Sequence, residues 1–274
     1  EDNDIPDLPA RAFRDSSGKV QLVSPHFELY RFIGNSLDTV KKDCTQKAFS
    51  SVNDTNYDNH KYHGWVAAPY TEDGINIYSP VHNEWYGKFV DPKCTNESQL
   101  YQWVNSLTYV SSSNSGATYT YPIDYKLWTH PVHWDPNTFT CTQQNPTSYG
   151  AYHPSNIIKS PTDNYYYAMY QSSPDPTNYT KDGTCLMRTS NITSGASAWE
   201  VWTGSGWDSS VTAVCQPVTT QMLPQSLTFN TYLNSYIMLS NKWDSSGAST
   251  GVYYSLSKDL FNWSAPVKIL NQDP

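Results

Sequence analysis

Charged residues, long hydrophobic runs and helix-forming stretches are all scarce in this sequence of 274 residues. Asp, Glu, Lys and Arg together make up only 15% of the chain, which has a net charge of −8 and no basic cluster. Because an acidic surface repels a phosphate backbone, we do not expect nucleic acid as a partner. No apolar run approaches the roughly 18 residues of a membrane-spanning helix, so we expect no membrane span.

Cysteine is also scarce, and its spacing argues against a metal–thiolate centre. The five cysteines stand at 44, 94, 141, 185 and 215, with no CxxC pair and no histidine cluster to complete a zinc set. We expect one or two disulfides and pair Cys185 with Cys215, which flank one of the repeats described below. The aromatic-rich, lysine-poor composition favours a secreted protein, since disulfides persist outside the cytoplasm. The chain carries no signal peptide and begins at Glu1, which fits a mature or trimmed form.

Aromatic and small polar residues are abundant, in contrast to the scarce charged residues and cysteines. The chain has 22 Tyr and 10 Trp, and Ser, Thr and Asn fill much of the remainder. Such a composition is typical of many short strands that are joined by polar turns and carry half-buried stripes of Tyr and Trp. The sequence therefore predicts an all-β fold.

Four stretches of the chain share one layout, in which a short strand, a polar turn and a more apolar strand are followed by a third strand. They cover 11–30, 65–86, 153–173 and 225–241, with the turns SSG, EDG, TDN and LNS. Repeated antiparallel units of this kind predict a β-propeller, and we see no linker that would divide residues 1–274 into two domains. A β-sandwich is the alternative, although it would not repeat the same strand order four times.

One short motif adds a family resemblance. The segment YYSLSKDLFNWS, residues 253–264, resembles the Ser-x-Asp-Leu-x-x-Trp turn that recurs in five-bladed propeller glycoside hydrolases of families 43 and 32. RTSNI at 188–192 and IGNSLDTV at 33–40 look like degenerate copies. The resemblance implies a five-bladed propeller and a carbohydrate ligand. It does not supply the catalytic acids of those families, because the four inner strands begin at Arg11, Trp65, His153 and Gln225, none of which is acidic.

The pattern His-x-Glu-x-Tyr occurs twice, at 26–30 and at 82–86. Strand alternation places the His, Glu and Tyr of each copy on one face, at the end of a strand that lies beside the start of an inner strand. Because glycoside hydrolysis usually needs two carboxylic groups, Glu84 and Glu28 are the candidate catalytic acids, and His82 is the candidate to assist Glu84. Alternatively, both glutamates pair with nearby arginines and have a structural role.

A second set of residues is predicted to bind the substrate. Arginines at the mouth of a propeller suit an acidic sugar or a sulfate, and aromatic rings form platforms on which sugars stack. The set consists of Arg11, Arg14, His26, Trp65, Trp85, Tyr86, His153, Asn156 and Gln225. The alternative is that Arg11 and Arg14 pair with acidic turns and that the aromatic rings belong to the core. The long connections at 86–104 and 121–152 are expected to wall the site.

These features predict a secreted, monomeric glycoside hydrolase that acts on a polysaccharide or oligosaccharide. Two other functions stay open, a non-catalytic sugar-binding propeller and a polysaccharide lyase that uses His, Tyr and Arg. We expect no required cofactor. A central histidine leaves room for a structural Ca²⁺ held through water, whose ligands the sequence does not identify.

Overall fold

The computed structural model describes residues 5–87, 103–131, 148–173, 182–220, 222–243 and 249–271. Within these ranges the protein is all-β, and the helical segments are short 3-10 turns at Leu37–Thr39, Tyr57–Asn59, Ile192–Ser194 and Ala196–Ala198. No helix in the described part of the chain is long and apolar enough to cross a membrane. The predicted all-β class is therefore confirmed.

Four antiparallel units follow one another along the chain. The first consists of β1 (Arg11–Arg14), β2 (Val20–Val23), β4 (Arg31–Gly34) and β5 (Lys41–Lys42), with β3 (Glu28–Leu29) and β6 (Phe49–Ser50) as a separate pair. The second consists of β7 (Gly64–Val66), β8 (Ile77–Tyr86), β9 (Trp103–Ser112) and β10 (Lys126–Trp128). The third consists of β11 (Ser148–Tyr152), β12 (Ile158–Lys159), β13 (Tyr166–Ser173), β14 (Gly183–Thr189), β15 (Glu200–Trp202) and β16 (Trp207–Asp208). The fourth consists of β17 (Leu223–Asn230), β18 (Ser235–Trp243), β19 (Ser249–Ser257) and β20 (Val267–Leu270).

The predicted hairpins and third strands are present in all four units. Polar turns form because a side-chain oxygen can accept bonds from backbone N–H groups two or three residues later. In the Ser-x-Asp-Leu-x-x-Trp segment, Asp259 Oδ1 accepts from the backbone nitrogens of Phe261 at 2.9 Å and Asn262 at 2.8 Å. Asp73 does the same in the second unit for Ile75 and Asn76, both at 2.8 Å.

Buried side chains lie between successive units rather than in one central layer. Val23, Val66 and Val81 belong to a cluster between the first and second units. A larger cluster, which includes Trp128 and Tyr170, lies between the second and third units, and a third cluster lies between the third and fourth units. Sheets that pack face to face in sequence order are typical of propeller blades.

The second and third units are also joined by backbone hydrogen bonds. β11 pairs in parallel with β9, with Tyr149 opposite Val104 and Gly150 opposite Asn105, and pairs antiparallel with β13. The result is one continuous sheet of ten strands. This junction brings His153, directly after β11, next to the end of β8.

The predicted disulfide between Cys185 and Cys215 is present. Its Cα atoms are 6.0 Å apart, and it closes a separation of 30 residues within the third unit. Cys44 is a free, exposed thiol.

We expect removal of this disulfide to lower the free energy of unfolding by roughly 3 to 4 kcal/mol, because the crosslink restricts a loop of this length in the unfolded chain. Denaturant unfolding of a Cys185→Ala/Cys215→Ala variant measures the effect. Cys44→Ala is the matched control and should unfold at the same denaturant concentration as the parent. A double variant with an unchanged midpoint would contradict the expectation.

Candidate functional site

The end of β8 places three polar side chains on one face, as strand alternation predicts. His82 Nε2 lies 3.5 Å from Glu84 Oε1, and the Tyr86 hydroxyl donates to Glu84 Oε2. The intervening Trp85 faces the other way, with its ring 4% exposed and its Nε1 donating to the carbonyl of Thr55 at 3.1 Å. Trp85 was predicted to bind substrate, but burial on the opposite face leaves it no free ring on which a sugar could stack.

The hydrogen bonds of His82 fix where its proton lies. The backbone N–H of His153 donates to His82 Nδ1 at 3.1 Å, so Nδ1 is an acceptor and carries no proton. The ring proton is therefore on Nε2, which donates to Asn105 Oδ1 at 2.9 Å and lies 3.5 Å from Glu84 Oε1. With only 2% of its side chain exposed, His82 is held in a fixed position beside Glu84 by these two hydrogen bonds.

Glu84 is largely enclosed yet held in its ionised form. Burial raises the pKa of its carboxyl, but the neighbouring N–H of His82 and the hydrogen bond from the Tyr86 hydroxyl act in the opposite direction. The net result is a pKa below the ordinary value. A carboxylate that is ionised at neutral pH can act as a nucleophile, as a base, or as a stabiliser of developing positive charge. It is poorly suited to donate a proton.

His153 closes the site from the third unit. Its backbone has a φ of 43°, in the left-handed region, and its ring centre lies 5.5 Å from that of His82. Burial, followed by the nearby His82, lowers the pKa of His153 to about 4, although the Glu84 charge acts in the opposite direction. His153 is therefore neutral at physiological pH.

The lowered pKa of His153 predicts a loss of stability in acid. Between the ordinary pKa of 6.5 and about 4 the unfolded chain binds a proton that the folded chain does not, so the free energy of unfolding falls as pH falls. His153→Asn, which tolerates the left-handed backbone and keeps the N–H for His82, should remove roughly 3 kcal/mol of that loss. Unfolding at pH 7 and pH 4 measures it, and equal pH dependence in both proteins would contradict it.

Aromatic rings line this end of β8. The Trp65 ring meets that of His82 at 5.7 Å between centres, and Tyr86 lies nearly parallel to Trp103 at 6.4 Å. Phe27 packs edge-on against Trp65 at 6.3 Å and keeps 39% of its surface exposed. Half-buried rings beside a carboxylate form a surface suited to the apolar faces of a sugar.

Two residues that the sequence analysis missed join this cluster. Asp7 Oδ2 accepts from Trp65 Nε1 at 2.8 Å and lies 3.4 Å from His26 Nε2, while half of its side chain stays exposed. His63 stacks on Phe27 at 5.8 Å. Burial lowers the pKa of His63, while the charge of Glu84 raises it. Asp7 precedes the first inner strand by only four residues, and that position was the sequence feature that could have indicated it.

The other predicted residues lie elsewhere. Glu28 pairs with Lys47 Nζ and belongs to the β3–β6 ladder. Asn156 Nδ2 donates to the Leu227 carbonyl at 2.8 Å, and its Oδ1 accepts from Leu227 N at 2.9 Å, so this amide links the third and fourth units.

The two arginines and Gln225 form a second group. Arg11 Nη2 donates to the carbonyl of Gln225, and Arg14 Nη1 donates to that of Gly18 at 2.8 Å. Arg11 and Arg14 line a cavity with the segment Pro69–Glu72, which lies between β7 and β8. The sequence predicts one mouth for all of these residues, whereas the structure has one group at the end of β8 and another at this cavity.

The connections 86–104 and 121–152 are predicted to wall the site. Their central parts, 88–102 and 132–147, lie outside the described residues. At their described ends, Trp103 and Tyr152 contact each other with ring centres 5.5 Å apart. Within the described ranges, no group of three or more His, Cys, Asp or Glu side chains is arranged to hold a metal ion. The structural Ca²⁺ stays a prediction without identified ligands.

No protein-family model matches the chain, and no curated protein matches it. Solved structures do match. The sucrose-6-phosphate hydrolase from Lactobacillus gasseri is 12% identical at a TM-score of 0.55, over 94% of this chain and 46% of that one. A glycosyl hydrolase from Bacteroides ovatus is 9% identical at a TM-score of 0.57, over 96% of this chain and 70% of that one. The Cellvibrio cellulosa alpha-L-arabinanase is 14% identical at a TM-score of 0.52, over 98% of this chain and 75% of that one.

Similarity at these identities concerns the fold alone. The chain spans less than half the length of the sucrose-6-phosphate hydrolase and about three quarters of the arabinanase. The resemblance to propeller glycoside hydrolases that the sequence indicates therefore holds at the level of the fold.

Proposed function

We propose that the protein is a glycoside hydrolase that cleaves a polysaccharide or oligosaccharide, with Glu84 as its working carboxylate. One observation carries the proposal: Glu84 is enclosed, ionised and held by His82 and Tyr86 beside partly exposed aromatic rings. Support at the level of the fold comes from similar structures that are, by name, hydrolases of carbohydrate.

The proposed reaction breaks the glycosidic C–O bond, protonates the leaving oxygen and adds the hydroxyl of water to the anomeric carbon. Glu84 would attack that carbon or take a proton from the water, because an ionised carboxylate suits either task. Protonation of the leaving oxygen then falls to another group. Asp7 is the carboxylate we propose for it, since it contacts the far edge of Trp65, whose ring packs against His82.

Three further features belong to this proposal. The five-bladed arrangement implied by the sequence resemblance is proposed for the whole fold, of which four units are described. Secretion is proposed on the composition and on the buried disulfide between Cys185 and Cys215. A monomer is proposed because a propeller packs its own blades against one another.

A release assay on a panel of plant, algal and microbial polysaccharides tests the function. New reducing ends from the parent protein, without unsaturated products, would support hydrolysis. Unsaturated products that absorb in the ultraviolet would identify a lyase instead. Saturable binding of a polymer without any release would identify a sugar-binding propeller. Glu28→Gln is the matched control, because its carboxylate pairs with Lys47 and its loss should leave release unchanged.

A further inference from the structure

Arg11 is the unusual cation of this protein. The chain has four arginines, and two of them form ion pairs, Arg31 with Asp43 at 3.0 Å and Arg188 with Glu200 at 3.0 Å. Arg14 is exposed at a hairpin turn. Arg11 is partly buried and, among the described residues, forms no ion pair.

Most of the hydrogen-bonding capacity of Arg11 is unused. A guanidinium has five N–H donors, and in the described part of the chain one of them is engaged, by the carbonyl of Gln225. Its Nε is buried and has no hydrogen-bond partner in that part of the chain. Burial lowers the pKa of Arg11 to about 10. A buried cation with unsatisfied donors is costly unless an anion compensates it.

The cavity beside Arg11 has room for such an anion. Its volume is about 400 Å³, and its walls come from β1, from the Pro69–Glu72 segment and from Asn156 and Ile157. At the liquid share of roughly 30 Å³ per water, this is space for about a dozen waters, and therefore for a small anion with part of its hydration shell.

The charges around the cavity favour an anion. Among the described residues, Arg11 and Arg14 both line it, against one acidic residue, Glu72. Glu72 Oε1 already accepts from Lys159 Nζ at 2.8 Å and from the Tyr166 hydroxyl at 2.9 Å, so its charge is balanced. The cavity is thus a locally positive place in a chain whose net charge is −8.

We propose that this cavity binds a small oxyanion, namely sulfate, phosphate or the carboxylate of an acidic sugar, through the free donors of Arg11. A planar guanidinium matches oxyanions through paired hydrogen bonds. The site is separate from the His82–Glu84 cluster. Its occupant would bridge the first unit, which carries Arg11, to the segments that precede β8 and β12.

Calorimetric titration of the parent protein with sodium sulfate, sodium phosphate, sodium acetate and sodium galacturonate tests the proposal. Sodium chloride at equal ionic strength and neutral galactose are the reference ligands. We expect saturable binding of one oxyanion per chain, weakened at least tenfold by Arg11→Gln. Arg31→Gln, on the same unit but ion-paired to Asp43, is the matched control and should bind as the parent does.

The arms of the titration distinguish the sources of the anion. Preference for galacturonate over acetate would indicate an acidic sugar, and preference for sulfate or phosphate would indicate a free inorganic ion. Glu84→Gln should bind the anion with the parent's affinity, which separates this site from the proposed hydrolase chemistry. No saturable binding of any oxyanion, or binding unaffected by Arg11→Gln, would overturn the proposal.

A crystal of the parent protein soaked in selenate keeps the test valid if Arg11→Gln fails to fold. Selenate resembles sulfate and scatters anomalously. An anomalous peak within hydrogen-bond distance of the Arg11 guanidinium is the expected result. A peak only at surface lysines, or no peak at all, would refute the site.

Discussion

Glu84→Gln should reduce the turnover of a cleaved polysaccharide by about 10² to 10⁴-fold, the usual cost of losing a catalytic acid or base. The amide keeps the shape of the side chain and can still accept from the Tyr86 hydroxyl. It cannot carry the negative charge that His82 and Tyr86 stabilise. The loss should therefore appear in kcat, with KM and the unfolding midpoint close to those of the parent.

The informative comparison for Glu84→Gln is Glu28→Gln, the same change in the other copy of the His-x-Glu-x-Tyr motif. Glu28 pairs with Lys47, so its amide variant should retain parental turnover. Equal turnover in the Glu84 variant and the parent would show that Glu84 does not take part in the reaction. Equal losses in both variants would point to a general effect of glutamate removal and not to the geometry at β8.

Asp7→Asn should cause the second large loss of activity, also of about 10² to 10⁴-fold, if hydrolysis needs two carboxylic groups. The amide oxygen can still accept from Trp65 Nε1, so the ring should keep its position. Asn cannot donate a carboxylic proton. The loss should be smallest for substrates with activated leaving groups, because such groups need little protonation.

Steady-state kinetics with a natural glycoside and an activated aryl glycoside measure this difference. Asp73→Asn is the matched control, since Asp73 is an acidic turn residue bonded to Asn76 within its own hairpin. An Asp7→Asn variant with parental rates on both substrates would remove Asp7 from the mechanism and leave Glu84 without a second carboxylate.

Local periodicity was enough to predict one face of the site. The alternation of a strand puts His82, Glu84 and Tyr86 together and sends Trp85 to the other side, and the structure has this arrangement. The same motif at 26–30 does not repeat the geometry, because it lies outside any long strand. β2 ends at Val23, and Glu28 pairs instead with the short β6. The motif therefore places its His, Glu and Tyr on a shared face only where a ten-residue strand carries it.

The rest of the site depends on how units pack, which a single sequence does not reveal. Asp7 reaches Trp65 because the first unit packs on the second, and His153 reaches His82 because β11 pairs in parallel with β9. Arg11 and Trp65 both begin inner strands, yet they lie in different places. The repeated layout predicts equivalent positions for these two residues. The number of residues between the strand start and the following turn differs between the two units.

The parallel pairing of β9 with β11 also determines which parts of the site can move. One ladder of hydrogen bonds runs through the second and third units. Glu84 and His82 therefore lie within one continuous sheet, and His153 directly follows one of its strands. Asp7 lies in the segment before β1, which meets that sheet through the hydrogen bond from Trp65 Nε1 and through Leu8 packed against Trp65. A motion of the first unit relative to this sheet would change the gap between Asp7 and Glu84 only if it also broke the hydrogen bond from Trp65 Nε1 to Asp7. The contact between the Asp7 and Trp65 side chains would therefore set the distance between the two proposed catalytic carboxylates.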